Sequence, residues 1–180
     1  MLPLILRYGL IAGVIVATPM LVIFFNAEPG KEPASGMLLG YLTMLVALTM
    51  VFLGIKHYRD KVKGGVIRFL PALGVGLAIS AVASLIYVLS WEICMAKGGA
   101  EFIAFYRNAM IESARASAKT PEALAHAIAE ADSFAKSYTN VPFRLAMTFI
   151  EMFPVGVLVS LISAAVLRNP RVLPARAPAA

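Results

Sequence analysis

Residues 67–94 read IRFLPALGVGLAISAVASLIYVLSWEIC, and the charged side chains of this run, Arg68 and Glu92, lie next to its two ends. A helix needs about 20 predominantly apolar residues to cross a hydrocarbon core about 30 Å thick. Further apolar runs of sufficient length occupy residues 4–25, 37–55 and 143–167. The sequence therefore predicts an all-α fold built as a bundle of four transmembrane helices.

Composition agrees with this fold class, since 60% of the residues are hydrophobic and 14% are charged, against about 25% charged in a soluble domain. We predict a single membrane domain over residues 1–168. Residues 169–180 contain prolines and arginines without an apolar period, which predicts a disordered cytoplasmic tail. The first run is longer than the roughly 7–15 apolar residues of a signal peptide, so we expect a retained helix. A single cysteine, Cys94, excludes an internal disulfide.

The distribution of Lys and Arg predicts the orientation. Residues 56–68 carry five basic side chains against Asp60 alone, and the tail adds three arginines, whereas residues 26–36 carry Lys31 against two glutamates. Because basic loops stay in the cytoplasm, we expect both termini and residues 56–68 there. The net charge of +6 does not indicate nucleic-acid binding, because the basic residues flank apolar segments and form no stripe with interleaved aromatics.

Residues 99–140 are rich in helix formers and not apolar enough to remain in lipid. They predict an outward-facing helical hairpin, placed between the third and fourth spans. One helix would carry Phe102 and Tyr106 on its apolar face. The other would begin at Thr120-Pro121, an N-cap followed by proline, and carry Leu124 and Ile128.

Glu122, His126 and Glu130 lie four residues apart on the second hairpin helix, a spacing at which carboxylate and imidazole side chains can bind a divalent metal. A further ligand is missing, because the other histidine, His57, is predicted on the opposite side of the membrane. We therefore interpret the three residues as a solvated polar stripe. No catalytic, cofactor-binding or metal site is predicted from the sequence.

Glu151 is the one acidic residue predicted deep inside a span, about 12 Å along the helix from Phe143. An ionised carboxylate at that depth costs several kcal/mol, so Glu151 should be protonated, paired or hydrated. Residues at the same depth predict a polar site around it. The candidate residues are Glu151, Tyr41, Tyr87, Ser84, Thr18 and the helix-kinking Pro154. The site would suit proton or ligand binding, or a structural clamp in which Tyr41 or Tyr87 bonds the carboxyl.

Small residues spaced four apart recur on every span, which favours close helix packing or contacts between copies of the chain. The set is Gly9, Gly13, Ala17, Gly36, Gly40, Ala72, Gly76, Ser80, Ser84, Gly156, Ser160 and Ala164. The basic turn after the second span favours membrane anchoring, with binding of a specific anionic lipid as the alternative.

The stretch GIKHYRDKVKGGVIRF, residues 54–69, resembles a bacterial inner-membrane family known as domain of unknown function 4199. The segments SLIYVLSWEI and FIEMFPVGVLVSLISA are similar to that family too, so the resemblance covers nearly the whole chain. The matching positions are Gly54, Tyr58, Arg59, Asp60, Lys61, Gly64, Gly65, Phe69, Glu151, Pro154, Gly156 and Ser160. The resemblance implies four helices in a bacterial inner membrane and no established activity.

These patterns leave three functional hypotheses. The favoured one is a non-enzymatic scaffold or accessory subunit, whose partners are the lipid bilayer and another membrane or periplasmic protein or a second copy of the chain. The alternative is a small transporter or channel that uses the carboxyl of Glu151; no inverted repeat or pair of broken helices supports it. The third is a membrane enzyme with metal chemistry at His126, which lacks a complete ligand set. Neither a cofactor nor a nucleic-acid partner is expected.

Overall fold

A computed structural model describes residues 1–26 and 36–175, and every regular element within those ranges is helical. The helices are α1 (Leu2–Asn26), α2 (Gly36–His57), α3 (Phe69–Ser117), α4 (Pro121–Thr139) and α5 (Val141–Leu167), with a π-helical turn at Tyr58–Val62. The prediction of an all-α fold is confirmed. Lys31 and the two glutamates that set the predicted charge of the first loop lie outside the described residues. Arg176, near the end of the predicted tail, lies outside them too.

Four segments are long and apolar enough to cross a membrane: Leu2–Asn26, Leu38–Val62, Phe69–Ser117 and Val141–Leu167. Large apolar side chains cover much of the outside of these helices, and Leu10, Leu45 and Ile150 are each about half exposed or more. A helix that is apolar on all sides must be buried in protein or lipid, so a bilayer has to cover these surfaces. The fold is that of a multi-pass membrane protein.

Helix α3 contacts every other helix of the bundle and runs parallel to α1 and antiparallel to α5. A Cβ placed on Gly76 would lie 2.8 Å from Ser160 Oγ, and one on Gly156 would lie 2.7 Å from Ser80 Cβ. Both distances are shorter than real Cβ contacts, so only glycine allows the two backbones to approach this closely. In lipid, such close packing takes the place of the hydrophobic effect as the force that holds helices together.

Glycines also set the contact between α1 and α3, because a Cβ on Gly9 or Gly13 would collide with Val82 or Ile86. The predicted small-residue packing thus occurs at these two positions and at Gly76 and Gly156. Gly40 faces open space instead.

Helix α3 continues beyond residue 94, where the third span was predicted to end, and reaches Ser117 after 49 residues. Between the predicted end of the span and the predicted start of the hairpin, one residue is non-helical, Gly98, with φ −137° and ψ 21°. It forms a kink between two helical stretches that are described together as α3. Residues 99–139, the last part of α3 together with α4, are called the arm below.

The two helices of the arm pack side by side along their apolar faces. Ile111 and Ala131 are buried between them, and the Tyr106 and Phe134 rings lie 6.2 Å apart. Helix α4 begins as the sequence predicts, since Thr120 Oγ1 accepts a hydrogen bond from the Ala123 amide and proline follows the cap.

Candidate functional site

The α3–α5 interface carries most of the polar side chains that lie within the spans, in a regular antiparallel register. Gly76 meets Ser160 and Ser80 meets Gly156. Three helical turns further along α3, Glu92 meets Arg144. The site therefore extends from a tight crossing near the middle of the bundle to an ion pair at the base of the arm.

Arg144 and Glu92 form a two-pronged ion pair, with Nε 2.7 Å from Oε1 and the second contact 2.6 Å long. The remaining guanidinium nitrogen donates to the carbonyl of Tyr138 at 3.0 Å. Arg144 is buried, with 8% of its surface exposed, so water screens the pair little. A bidentate pair of this kind fixes distance and orientation as well as charge. It joins α3, α5 and the end of α4.

Six aromatic side chains at the base of the arm contact one another and form the aromatic cluster: Phe24, Trp91, Phe102, Tyr106, Phe134 and Tyr138. Trp91 Nε1 donates to the hydroxyl of Tyr138 at 3.0 Å. Burial raises the pKa of the Tyr138 phenol, and hydrogen bonds to Trp91 and Thr148 oppose that rise. The cluster contains residues of α1, α3 and α4, so it braces the arm against the bundle.

Glu151 lies two turns of α5 beyond Arg144, at the edge of the same interface. The hydroxyl of Tyr87 donates to its Oε2 at 3.3 Å. Tyr87 is 8% exposed, whereas Glu151 is exposed on the side of the bundle. A carboxyl held by a phenol in this position can bind a proton or accept a hydrogen bond from a group outside the bundle.

The structure brings together some of the residues predicted around Glu151. Ser84 is one turn from Tyr87 on α3 and is 1% exposed, and its Oγ has no hydrogen-bond partner within the described chain. Pro154 lies inside α5, one turn after Glu151. Tyr41 is 50% exposed on α2, and Thr18 is exposed and bonds Val14 of its own helix.

The polar stripe of α4 is solvent-exposed. His126 Nδ1 lies 3.6 Å from Glu130 Oε2, and both side chains are at least 66% exposed. Across residues 1–26 and 36–175, no group of three His, Cys, Asp or Glu side chains is arranged to hold a metal ion.

Arg59 is the principal residue of the opposite end, and sequence reasoning assigned it to the basic turn that sets orientation and anchors the chain at the membrane. Its side chain is 0% exposed. It donates to Asp60 Oδ1 at 2.6 Å, to the Val172 carbonyl at 2.9 Å and to the Leu173 carbonyl. Residues 169–175 of the predicted disordered tail are thereby held against the π-helical turn, although they form only turns and bends. The Tyr-Arg-Asp-Lys turn directly after a span is the sequence signal that could have predicted this site. An arginine buried at such a position needs several hydrogen-bond acceptors.

Four spans and a braced helical arm define a multi-pass membrane protein with a cytosol- or exterior-facing helical extension. Residues 7–169 match the family described as Protein of unknown function (DUF4199), and the chain belongs to that family. The resemblance seen in the turn at residues 54–69 is thereby confirmed. No curated protein and no solved structure matches the chain.

Proposed function

We propose that the protein is a non-enzymatic scaffold or accessory subunit of the bacterial inner membrane that presents its arm to another membrane or periplasmic protein. The observation that carries this proposal is that α3 leads from the bundle into the arm with a single kink at Gly98. At 1.5 Å per residue the two parts of α3 together measure about 70 Å along the helix axis, more than twice the thickness of a hydrocarbon core. Its last part must therefore extend beyond the lipid.

The contacts at the base of the arm support a fixed presentation rather than a loose tether. The aromatic cluster joins Phe24 of α1 to Phe102 and Tyr138 of the arm. Lys97 lies over the Phe25 ring, 4.3 Å from its centroid. An arm braced in this way loses little conformational entropy when it binds a partner, which favours affinity.

The orientation of the arm follows from charge. Tyr8, His57, Arg59 and Val172 lie at one end of the bundle, because Tyr8 contacts His57 and Arg59 contacts Val172. The basic residues of the α2–α3 turn and of the tail share this end. The preference of basic segments for the cytoplasm supports a proposed orientation with both termini inside and the arm outside.

Site-specific photo-crosslinking in intact cells tests the scaffold. A crosslinking residue at the exposed Ala129 of α4 should yield a product of discrete mass. The same residue at Leu85, which is 55% exposed on the bundle, should yield mainly lipid adducts. Replacing residues 99–140 by a short Gly-Ser linker should abolish co-purification of the crosslinked partner. A product whose mass is that of two copies of the chain would replace the proposed partner by a homo-oligomer, and an unchanged co-purification would contradict a role for the arm.

Glu151 favours a second candidate function, a small transporter or channel that uses its membrane-embedded carboxyl. A carboxyl that is exposed on the side of a bundle and bonded by Tyr87 is costly in lipid, and residues of that kind commonly mark ion or proton paths. In vesicles, the reconstituted protein would then conduct protons, and Glu151→Gln would abolish the flux without loss of folding. Flux equal to that of empty vesicles would exclude this candidate and leave the hydrogen bond with a structural role.

A further inference from the structure

A groove of about 370 Å³ lies between α2 and α5 and opens on the side of the bundle. Its walls include Leu45, Phe52, Leu53, Val159 and Ile162. All these residues belong to membrane-spanning segments. The groove therefore opens toward hydrocarbon.

The groove offers almost no polar group to an occupant. The hydroxyl of Thr49 donates to the carbonyl of Val46 on its own helix, and Ser163 is 2% exposed. A peptide segment placed there would leave its backbone amides and carbonyls without partners, at a cost that hydrocarbon does not incur. An acyl chain meets the lining without such a cost.

Basic side chains gather at the end of the bundle toward which the groove runs. Helix α2 reaches Lys56 one turn beyond Phe52, and α5 ends at Leu167, just before Arg168 and Arg171. The hydrogen bonds from Arg59 to Val172 and Leu173 hold these two basic segments together.

The charge at this end is not balanced. Among the described residues of this end the one carboxylate is Asp60, which already pairs with Lys56 and Arg59. Exposed basic side chains remain there without a carboxylate partner in the described ranges, and they are Arg7, Lys61, Lys63, Arg68, Arg168 and Arg171. At the other end of the bundle, Arg144 is neutralised by Glu92.

We propose that this groove is a binding site for an anionic phospholipid, with an acyl chain between α2 and α5 and the phosphate on the exposed basic side chains. The apolar groove matches the acyl chain of such a lipid, and the excess of positive charge at the end of the groove matches its phosphate. Anionic headgroups are attracted by clusters of basic residues next to a span, and the attraction falls off within a Debye length, about 8–10 Å at physiological ionic strength. The groove adds the specificity that charge alone does not give.

Native mass spectrometry of the full chain tests the site, with phosphatidylglycerol and phosphatidylcholine of identical acyl chains as probes. We expect about one phosphatidylglycerol retained per chain, and at least fivefold less phosphatidylcholine. Filling the groove by Ile162→Trp on α5, or by Leu45→Trp on α2, should lower phosphatidylglycerol retention at least fivefold. Leu85→Trp, which changes an exposed residue of α3 outside the groove, is the matched control and should have no effect.

The headgroup contact is tested by Arg168→Gln with Arg171→Gln, which should lower retention of phosphatidylglycerol to the level of phosphatidylcholine. Arg115→Gln, in the arm, controls for the loss of a charge. Equal retention of the two lipids by the unaltered chain would overturn the proposal. So would unchanged retention in both tryptophan variants, provided that their thermal unfolding shows them folded. Displacement of the lipid by glycerol phosphate alone would show a headgroup site without a groove, and a dimer that dissociates in the tryptophan variants would assign the groove to a second copy.

Discussion

The two ends of the bundle each bury one arginine, and the two arginines work in different ways. Arg59 donates to backbone carbonyls of a segment more than a hundred positions away, and to its neighbour Asp60. Arg144 forms a bidentate pair with a carboxylate on another helix. The first arrangement fixes a stretch of chain, and the second fixes the distance between two helices. A guanidinium can do both because its donors form a planar fork with several directions.

Removing Arg59 should have the largest effect on stability. Arg59→Met removes a fully buried guanidinium, which leaves the carbonyls of Val172 and Leu173 without this donor and Asp60 paired with Lys56 alone, so we expect a loss of about 4 kcal/mol in the free energy of unfolding. Arg59→Lys should recover little, since an ammonium cannot reach the same set of acceptors. Thermal unfolding in detergent and protease sensitivity of the tail would measure both. Full recovery by lysine would show that charge alone matters at this end.

Breaking the pair of Arg144 and Glu92 should lower the free energy of unfolding slightly less than the loss of Arg59. Exchanging the two charged residues should restore part of it. Arg144→Met leaves Glu92 unpaired, for which we expect about 3 kcal/mol of destabilisation. Because both acceptor atoms belong to one side chain, Glu92→Arg combined with Arg144→Glu should recover part of that loss. A double-mutant cycle on thermal unfolding measures the coupling energy. A coupling near zero would contradict a pairing that joins the two helices.

The glycine contact between these helices should rank third. Gly156→Leu forces α5 away from Ser80, and overpacking of this kind costs about 1–3 kcal/mol. Gly40→Leu is the matched control, since a Cβ there meets open space. Similar losses for the two variants, measured by the same thermal unfolding, would mean that loss of glycine itself, rather than close approach, governs the result.

Glu151→Gln should have the smallest effect on stability, below about 0.5 kcal/mol. The amide oxygen can accept the Tyr87 hydrogen bond as the carboxyl does. Thermal unfolding of Glu151→Gln and of Glu92→Gln should be measured together. Glu151 is bonded by a phenol, whereas Glu92 is paired with Arg144, so Glu92→Gln should lose more stability. A large loss of stability in Glu151→Gln would contradict this expectation and would reveal an ionic contact of Glu151.

Sequence patterns predicted the fold class and the four apolar segments because the length and composition of a span are set by the bilayer. Equal depth in the membrane predicted Tyr87 as a partner of Glu151, which requires only helix rise. Depth did not predict the direction in which Thr18 and Tyr41 face. A helix that is apolar on all sides gives no sequence pattern that shows which face points toward the other helices.

The pair Arg144–Glu92 was not predicted, because each residue lies near the end of a span, where a long charged side chain can reach the headgroups without a protein partner. The spacing of the small residues on α3 and α5 could have predicted this pair. Steps of four residues from the Ser80–Gly156 contact lead, along both helices, to Glu92 and Arg144. The kink at Gly98 was not predictable from local pattern, because a Gly-Gly pair after a span is equally compatible with a kink between two helices and with a helix end.

The aromatic cluster holds the arm against the bundle across the kink at Gly98, so the arm acts as a lever on the tilt of the span. The arm part of α3 extends roughly 28 Å beyond that residue, so a tilt of about 5° in the span displaces the tip by roughly 2 Å. Tilt responds to bilayer thickness, since a helix that is too long for its membrane leans over. The position of the arm tip is thereby coupled mechanically to the thickness of the surrounding membrane.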